Sequence, residues 1–212
     1  FIGFNEEGDN VEQYSDFSFF NPKFGLFYQI KKNKSAYMSF AIANKEPNRN
    51  DFVESSPNSR PKHEKLYNTE LGYRIFHSKL RAGINAYYMI YENQLVLSGQ
   101  INDVGAYTRT NINYSERKGL ELEASFNFNE KFIWNGNATF SENKIAVFTE
   151  YVDNWDNWSQ EEIQHKNTDI SFSPNIIWAS TFNYNINNHL NTQFISKYVG
   201  DQFIDNTSSE ER

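Results

Sequence analysis

Apolar and polar residues alternate with a period of two along most of the chain, the pattern of half-buried β-strands. In 66–76, Leu71, Tyr73 and Ile75 oppose Glu70, Gly72 and Arg74. In 80–91, Leu80, Ala82, Ile84, Ala86, Tyr88 and Ile90 oppose Arg81, Gly83, Asn85 and Tyr87. In 119–128, Leu120, Leu122, Ala124, Phe126 and Phe128 oppose Glu121, Glu123, Ser125 and Asn127, and in 132–141 Phe132, Trp134, Gly136, Ala138 and Phe140 oppose Asn135, Asn137, Thr139 and Ser141. Further strands are predicted over 24–30, 36–42, 172–184 and 190–198, the last with a weaker alternation. No stretch of similar length has helical period, so very little helix is predicted.

The connections alternate in length. Short polar turns fall at 31–34, 77–79, 129–131 and 187–188, and long polar stretches at 45–64, 92–115, 147–168 and from 200 onward. Short turns at one end and long loops at the other are the signature of an outer-membrane β-barrel. Aromatic residues cluster beside the turns: Tyr28, Tyr37, Phe76, Phe126, Phe128, Phe132, Trp134, Phe182 and Tyr184. Ordinary cross-strand pairing explains such rings as well as an interfacial girdle does; together with the loop asymmetry they favour the girdle. Glu70, Arg74, Arg81, Glu121 and Glu123 then face a wet or plugged lumen, since a dry core would not hold five such charges without tight pairing. The fold class predicted is all-β: an antiparallel up-and-down transmembrane barrel, of which this chain is a part.

Composition narrows the rest. With no cysteine among 212 residues, disulfides and thiolate metal sites are excluded. A net charge of −7 argues against nucleic-acid binding, which needs a basic face. Mean hydropathy is −0.74, and no run approaches the roughly 18 apolar residues of a helical span. At 17% aromatic the chain has ample apolar area to order itself.

The strand edges carry a family pattern. Residues 61–76, with Pro61, Glu64, Glu70, Leu71, Gly72 and Tyr73, resemble the point in TonB-dependent outer-membrane receptors where a long extracellular loop closes and a strand descends. Residues 43–52 resemble the entry to that loop, with Lys45 where arginine is usual and Asp51 where glutamate is usual. Residues 85–95 and 111–123 resemble the two strands that follow, the latter through Gly119, Glu121 and Glu123, and 21–26 resembles a strand start. Five such motifs occur in order at hairpin spacing and cover about 17–205. The Asn-, Lys-, Phe- and Tyr-rich flavour is similar to receptors from AT-rich, Bacteroidota-like genomes. The resemblance implies a barrel of roughly 22 strands, of which 1–212 supplies about eight to ten as part of a single barrel domain, from its C-terminal half, in the outer membrane of a Gram-negative cell. The chain opens on Phe1 and Ile2 and ends straight after a strand-like run, as a piece of a longer protein would. An N-terminal plug and the last strands are expected outside it.

The four histidines (His63, His77, His165 and His189) sit on predicted loops and turns with no metal-ligand spacing, and no nucleophile or phosphate-loop motif occurs. No catalytic residue, metal site or cofactor is expected; Glu121 and Glu123 read as lumen lining. Ligand contacts are sought in the loops. Trp155 and Trp158 alternate with Asp156 and its neighbours, a mix that can stack on a flat ligand and hydrogen-bond to it, while EF-hand order is absent. Arg49 and Asp51 in the first long loop, and Asp103, Tyr107 and Arg109 in the second, are the other candidates. The plainer reading, which weighs more for each of these loops, is self-packing or, for the tryptophans, anchoring at the outer interface.

The resemblance implies active uptake of a scarce nutrient (an iron–siderophore complex, haem, a cobalamin, or an oligosaccharide or peptide), energised through TonB acting on the plug, and no enzyme activity. The implied partners are outer-membrane lipid, the TonB complex and the substrate; a surface lipoprotein remains open. The rivals are a passive porin and, from another class, a soluble carbohydrate-binding β-sandwich using Trp155 and Trp158.

Overall fold

A computed structural model describes residues 14–53, 60–101, 107–154, 156 and 159–210. Its strands are β1 (Lys23–Lys31), β2 (Lys34–Lys45), β3 (Glu64–Phe76), β4 (Leu80–Ile101), β5 (Tyr107–Asn127), β6 (Phe132–Asn154), β7 (Ser159–Asp169), β8 (Ile176–Asn187) and β9 (Leu190–Val199). A five-residue helix, α1 (Arg49–Val53), lies between β2 and β3. Neighbouring strands pair antiparallel in one sheet. β7 and β8 both pair with β6, one above the other, and so share one place in the wall. No helix among the described residues is long and apolar enough to cross a membrane, which says nothing about strands.

Two of the four short turns are held by asparagine. Asn129 Oδ1 accepts from the backbone N–H of Lys131 and of Phe132, each at 2.9 Å. Asn187 Oδ1 does the same for His189 and Leu190, at 2.9 and 3.0 Å. A short side-chain acceptor that closes its own turn is why this residue type is enriched there.

Register sorts the side chains into two faces. Ala36, Tyr73, Ile84, Leu122, Ala138, Trp178 and Tyr198 form one row across the sheet, and Met38, Leu71, Ala86, Leu120, Phe140 and Ile176 the next. Many of these apolar residues are exposed, Leu71 by 54% and Phe140 by 47%. They meet no second sheet among the described residues, so the sandwich expectation is not met. This is the outer, lipid-facing side. Its turn-end border is Phe126, Trp134, Phe182 and Phe194 in one row. Phe128 and Phe132 stack at 5.0 Å, and Phe132 and Phe182 at 5.9 Å. The expected girdle is thus present, with two corrections: Tyr37 and Phe76 fall on the inner face, because Tyr37 pairs with Gly72 and Phe76 with Arg81. From Phe132 to Phe140 the apolar band is about 20 Å tall, given a rise of about 3.3 Å per residue and a tilt near 40°.

Two predicted loops are strands. Residues 92–115 and 147–168 largely extend β4–β5 and β6–β7 above the apolar band as ribbons. Polar, Thr- and Asn-rich sequence conceals this, because a ribbon in water needs only cross-strand hydrogen bonds and one dry face. That dry face has a specific origin. Below it, Ser115, Asn143 and Ile145 are buried at odd positions; above it, Ile112, Phe148 and Glu150 are buried at even ones. The alternation slips by one at a common level, marked by Asn93 on β4 (φ 55°) and Asn167 on β7 (φ 56°). Asparagine tolerates this left-handed conformation better than most residues. The slip turns Val96, Ile112, Ile145, Phe148 and Ile170 toward one another as an apolar core.

The strand predicted over 172–184 begins only at Ile176. Residues 170–175 bulge opposite 141–143, closed at each end by Ile170 N–H to Asn143 C=O (3.1 Å) and Ser141 N–H to Asn175 C=O (2.8 Å). Pro174 has no N–H for the ladder, and Phe172 has φ 53°.

Candidate functional site

The inner wall is built from rows of polar side chains lying close to the sheet. One row runs Tyr37, Gly72, Asn85, Glu121 and Thr139; the next runs Ser35, Arg74, Gly83, Glu123 and Asn137. Gly72 lets the Tyr37 ring lie flat on the strand: a Cβ there would sit 2.0 Å from that ring. Tyr37 then donates its hydroxyl to Asn85 Oδ1 at 3.0 Å, and Asn85 donates to Glu121 at 3.1 Å. Arg74 caps the Tyr37 ring at 5.4 Å and lies 3.8 Å from Glu123. Gly119 is the second such seat, since a Cβ would meet the Phe140 carbonyl at 2.5 Å and the Tyr87 hydroxyl at 2.6 Å. Gly72, Gly119, Glu121 and Glu123 are residues of the sequence motifs, so the motifs spell out this wall. The sequence reading placed Asn85 and Tyr87 on the polar face but missed that Tyr37 and Tyr87 lie over these glycines; the signal was an aromatic directly across from a strand glycine.

Two clefts open on this face toward the turn end. The smaller, about 410 Å³, is lined by Arg74, Arg81, Glu123, Ser125, Asn135 and Asn137 among others. The larger, about 980 Å³, adds Asn33, His77, Lys79 and Asn183.

At the loop end the predicted ligand residues divide. Asp51 and Arg109 come together at 3.8 Å from two different connections, with Asp51 buried. Asp51 also caps α1 reciprocally: Asn48 N–H donates to its carboxylate at 2.8 Å, and its own N–H donates to Asn48 Oδ1 at 3.0 Å. That use is structural, a fastening of the first long loop to β5. Asn111 adds to it, accepting from Lys62 N–H at 2.7 Å and donating to the Lys62 and Asn93 carbonyls. Arg49 opens α1, Tyr107 opens β5, and Asp156 is exposed at the tip between β6 and β7. Asp103, Trp155 and Trp158 lie outside the described residues. His165, predicted on a loop, is in β7 and bonds Glu150 at 2.8 Å. Among the described residues, no group of three or more His, Asp or Glu could hold a metal ion.

A buried knot that the sequence did not announce ties the upper elements. Asn206 is 1% exposed. Its amide donates to the Leu97 carbonyl at 2.7 Å and accepts from Ser171 N–H at 2.9 Å. Ser208 Oγ accepts from Asp169 N–H at 2.7 Å. The segment after β9 therefore clasps β4 and the bulge together over the apolar core.

Charge is segregated along the strands. The segments at the loop end (14–22, 46–63, 92–115, 147–168 and 200–212) hold 15 acidic and 6 basic residues, whereas the strands and turns between them hold 8 acidic and 14 basic. The short turns themselves hold Lys31, Lys32, Lys34, Lys79 and Lys131 against one acid, Glu130.

A family model described as "TonB dependent receptor-like, beta-barrel" matches residues 4–211. No curated protein sequence matches the chain. Among solved structures, the chain is similar to the ferric-catecholate import receptor Fiu from E. coli K12, with a TM-score of 0.59 and 18% identity over 84% of this chain and 24% of that one. It is similar to the ferric yersiniabactin uptake receptor FyuA from Yersinia pestis, at 0.64 and 18% over 87% and 26%. The siderophore receptor PiuA from Acinetobacter baumannii gives 0.66 and 16% over 87% and 27%. The chain spans about a quarter of the length of these solved receptors.

Proposed function

Because the chain belongs to the TonB-dependent receptor β-barrel family and is a section of outer-membrane barrel wall, we propose that its parent protein takes up a scarce nutrient across the outer membrane, driven through TonB. The observation that carries this reading is the two-faced sheet. Its outer side is apolar with an aromatic border, and its inner side is a polar wall seated on Gly72 and Gly119. Such a wall suits a lumen that holds polypeptide or passes a polar cargo. The relatives named above, for ferric siderophores, favour an iron complex as the cargo; the acidic loop end favours one that is neutral or cationic.

The loop residues Arg49, Asp51, Asp103, Tyr107, Arg109, Trp155, Asp156 and Trp158 are the proposed cargo contacts, with Asp51 and Arg109 acting by fixing the loop that presents the others. The test is uptake of radiolabelled iron complexes of differing charge by cells carrying the full-length receptor, with and without TonB. Uptake that persists unchanged without TonB would turn the reading into the passive porin.

A further inference from the structure

We propose that the short turns dock onto anionic phospholipid headgroups of the leaflet they border, with the three-lysine turn between β1 and β2 as the principal contact. Short turns lie on the periplasmic side of such barrels, so that leaflet is the inner one. Lys31, Lys32 and Lys34 fall within four residues, and Lys79 and Lys131 stand in the next two turns. None of these five has an ion-pair partner among the described residues. Lysines at the opposite border of the same lipid-facing side are arranged differently. Lys118 is held by Glu116 at 3.3 Å and Glu142 at 3.2 Å, and Lys144 by Asp169 at 2.9 Å. Charge at the loop-end border is neutralised within the protein, whereas charge at the turns is left for a partner.

Position says which partner. Lys34 stands in a lipid-facing row, opposite Ile75, which in turn pairs with Ala82. Tyr28 on β1 lies on the same side, opposite Ala36, and is 65% exposed. Lys131 adjoins Phe132, whose ring stacks on Phe128 in the aromatic border. A lysine beside lipid-facing rings keeps its methylenes on apolar surface and its ammonium among headgroup phosphates. The β1–β2 turn is also closed from within: the Gln29 side-chain amide donates to the carbonyls of Lys31 and Lys34, the latter at 3.0 Å. Its three lysines are thereby held on one short arc. Unneutralised lysines this close to a bilayer lie within a Debye length of it and attract acidic lipids together. An acidic protein or the peptidoglycan would meet the turn tips from below, and would not need the charge to run on into the lipid-facing rings.

The experiment reconstitutes the full-length receptor in phosphatidylcholine vesicles holding a trace of spin-labelled phosphatidylglycerol or spin-labelled phosphatidylcholine. Electron paramagnetic resonance then measures the lipid held at the protein boundary. Phosphatidylglycerol is expected to be held roughly threefold to fivefold more strongly than phosphatidylcholine, about what one near-surface lysine supplies. The preference should approach parity in about 1 M salt, where the Debye length is near 3 Å. The triple variant K31Q/K32Q/K34Q should lose most of it, K31R/K32R/K34R should keep it, and Lys118→Gln, at the neutralised border, should leave it unchanged. Parity in the unsubstituted receptor, or a preference that survives salt or the triple glutamine substitution, would overturn the proposal. Heat-modifiable migration reports whether each variant is folded; if the triple variant is not, Lys32→Gln alone must lower the preference or the proposal fails. Co-sedimentation with isolated sacculi covers the rival: peptidoglycan binding lost with the three lysines, without any lipid preference, would put the wall polymer in place of the lipid. The proposal needs the barrel wall but neither the cargo nor TonB, so a failed uptake test leaves it standing.

Discussion

Gly72 and Gly119 show how one missing Cβ shapes a wall. At Gly72 the nearest obstacle is the Tyr37 ring, a side chain that can swing away. At Gly119 it is the Phe140 carbonyl, part of the neighbouring strand. Gly119→Ala is therefore expected to cost more than Gly72→Ala, about 2–3 kcal/mol against about 1 kcal/mol, within the usual range for overpacking. Urea unfolding of the full-length barrel, followed by loss of heat-modifiable migration, measures the order of the two; equal costs would remove the distinction between a mobile ring and a fixed backbone. Gly72→Ala should also break the contact from Tyr37 to Asn85 and so free Glu121. The motif glycines were visible in the sequence, but which side chain each one seats was not, because that depends on strand register.

The ribbons β4–β5 and β6–β7 are held by elements distant in the chain. Asn206 satisfies the Leu97 carbonyl and the Ser171 N–H with one buried amide. Asn206→Ala leaves both groups without that partner, at about 1–3 kcal/mol each. The expected outcome is faster hydrogen exchange at 96–98 and 169–172 with 120–140 unchanged; uniform acceleration of the whole sheet would count against a local clasp. Phe148→Ala, which empties the centre of the same apolar core, should cost about 3–5 kcal/mol and show the same local pattern. At Asn93 the left-handed backbone predicts that glycine is tolerated while Asn93→Val is destabilising by more than about 1 kcal/mol. Thermal unfolding of the two variants separates them. These ribbons were predicted as loops because their alternation changes phase at Asn93 and Asn167. A pattern that slips by one residue averages out along the sequence, although each half is regular.

Across the whole molecule, the two faces of β5 make opposite demands one residue apart. Leu122 is in the lipid-facing row and Glu121 in the lumen row. Leu122→Arg should destabilise the barrel by about 2–4 kcal/mol, the cost of a cation near the bilayer midplane. Glu121→Arg should leave assembly nearly intact and alter what the lumen holds or passes. Folding into phospholipid vesicles, scored by heat-modifiable migration, tests both; equal tolerance of the two arginines would contradict the assigned faces. Trp134 and Trp178 offer a second check, since brominated lipid should quench both. Trp134 lies in the turn-end aromatic row and Trp178 in a row further from it, so deeper bromines should favour Trp178.

The sequence by itself determined the class of the fold, its two faces and the end at which loops lie, because strand alternation and turn chemistry are local and a lipid bilayer demands them of every strand separately. It also marked the lumen charges and the family. Tertiary structure alone decided the rest. Whether Tyr37 and Phe76 face lipid or lumen, and that Asp51 meets Arg109, depend on register between strands and on loops from different hairpins. That 92–115 and 147–168 stand up as ribbons, and that Asn206 closes a core more than a hundred residues from Leu97, depend on contacts that form only when distant segments are already in place. Those contacts leave no period in the sequence, since their cause is proximity in space rather than spacing along the chain.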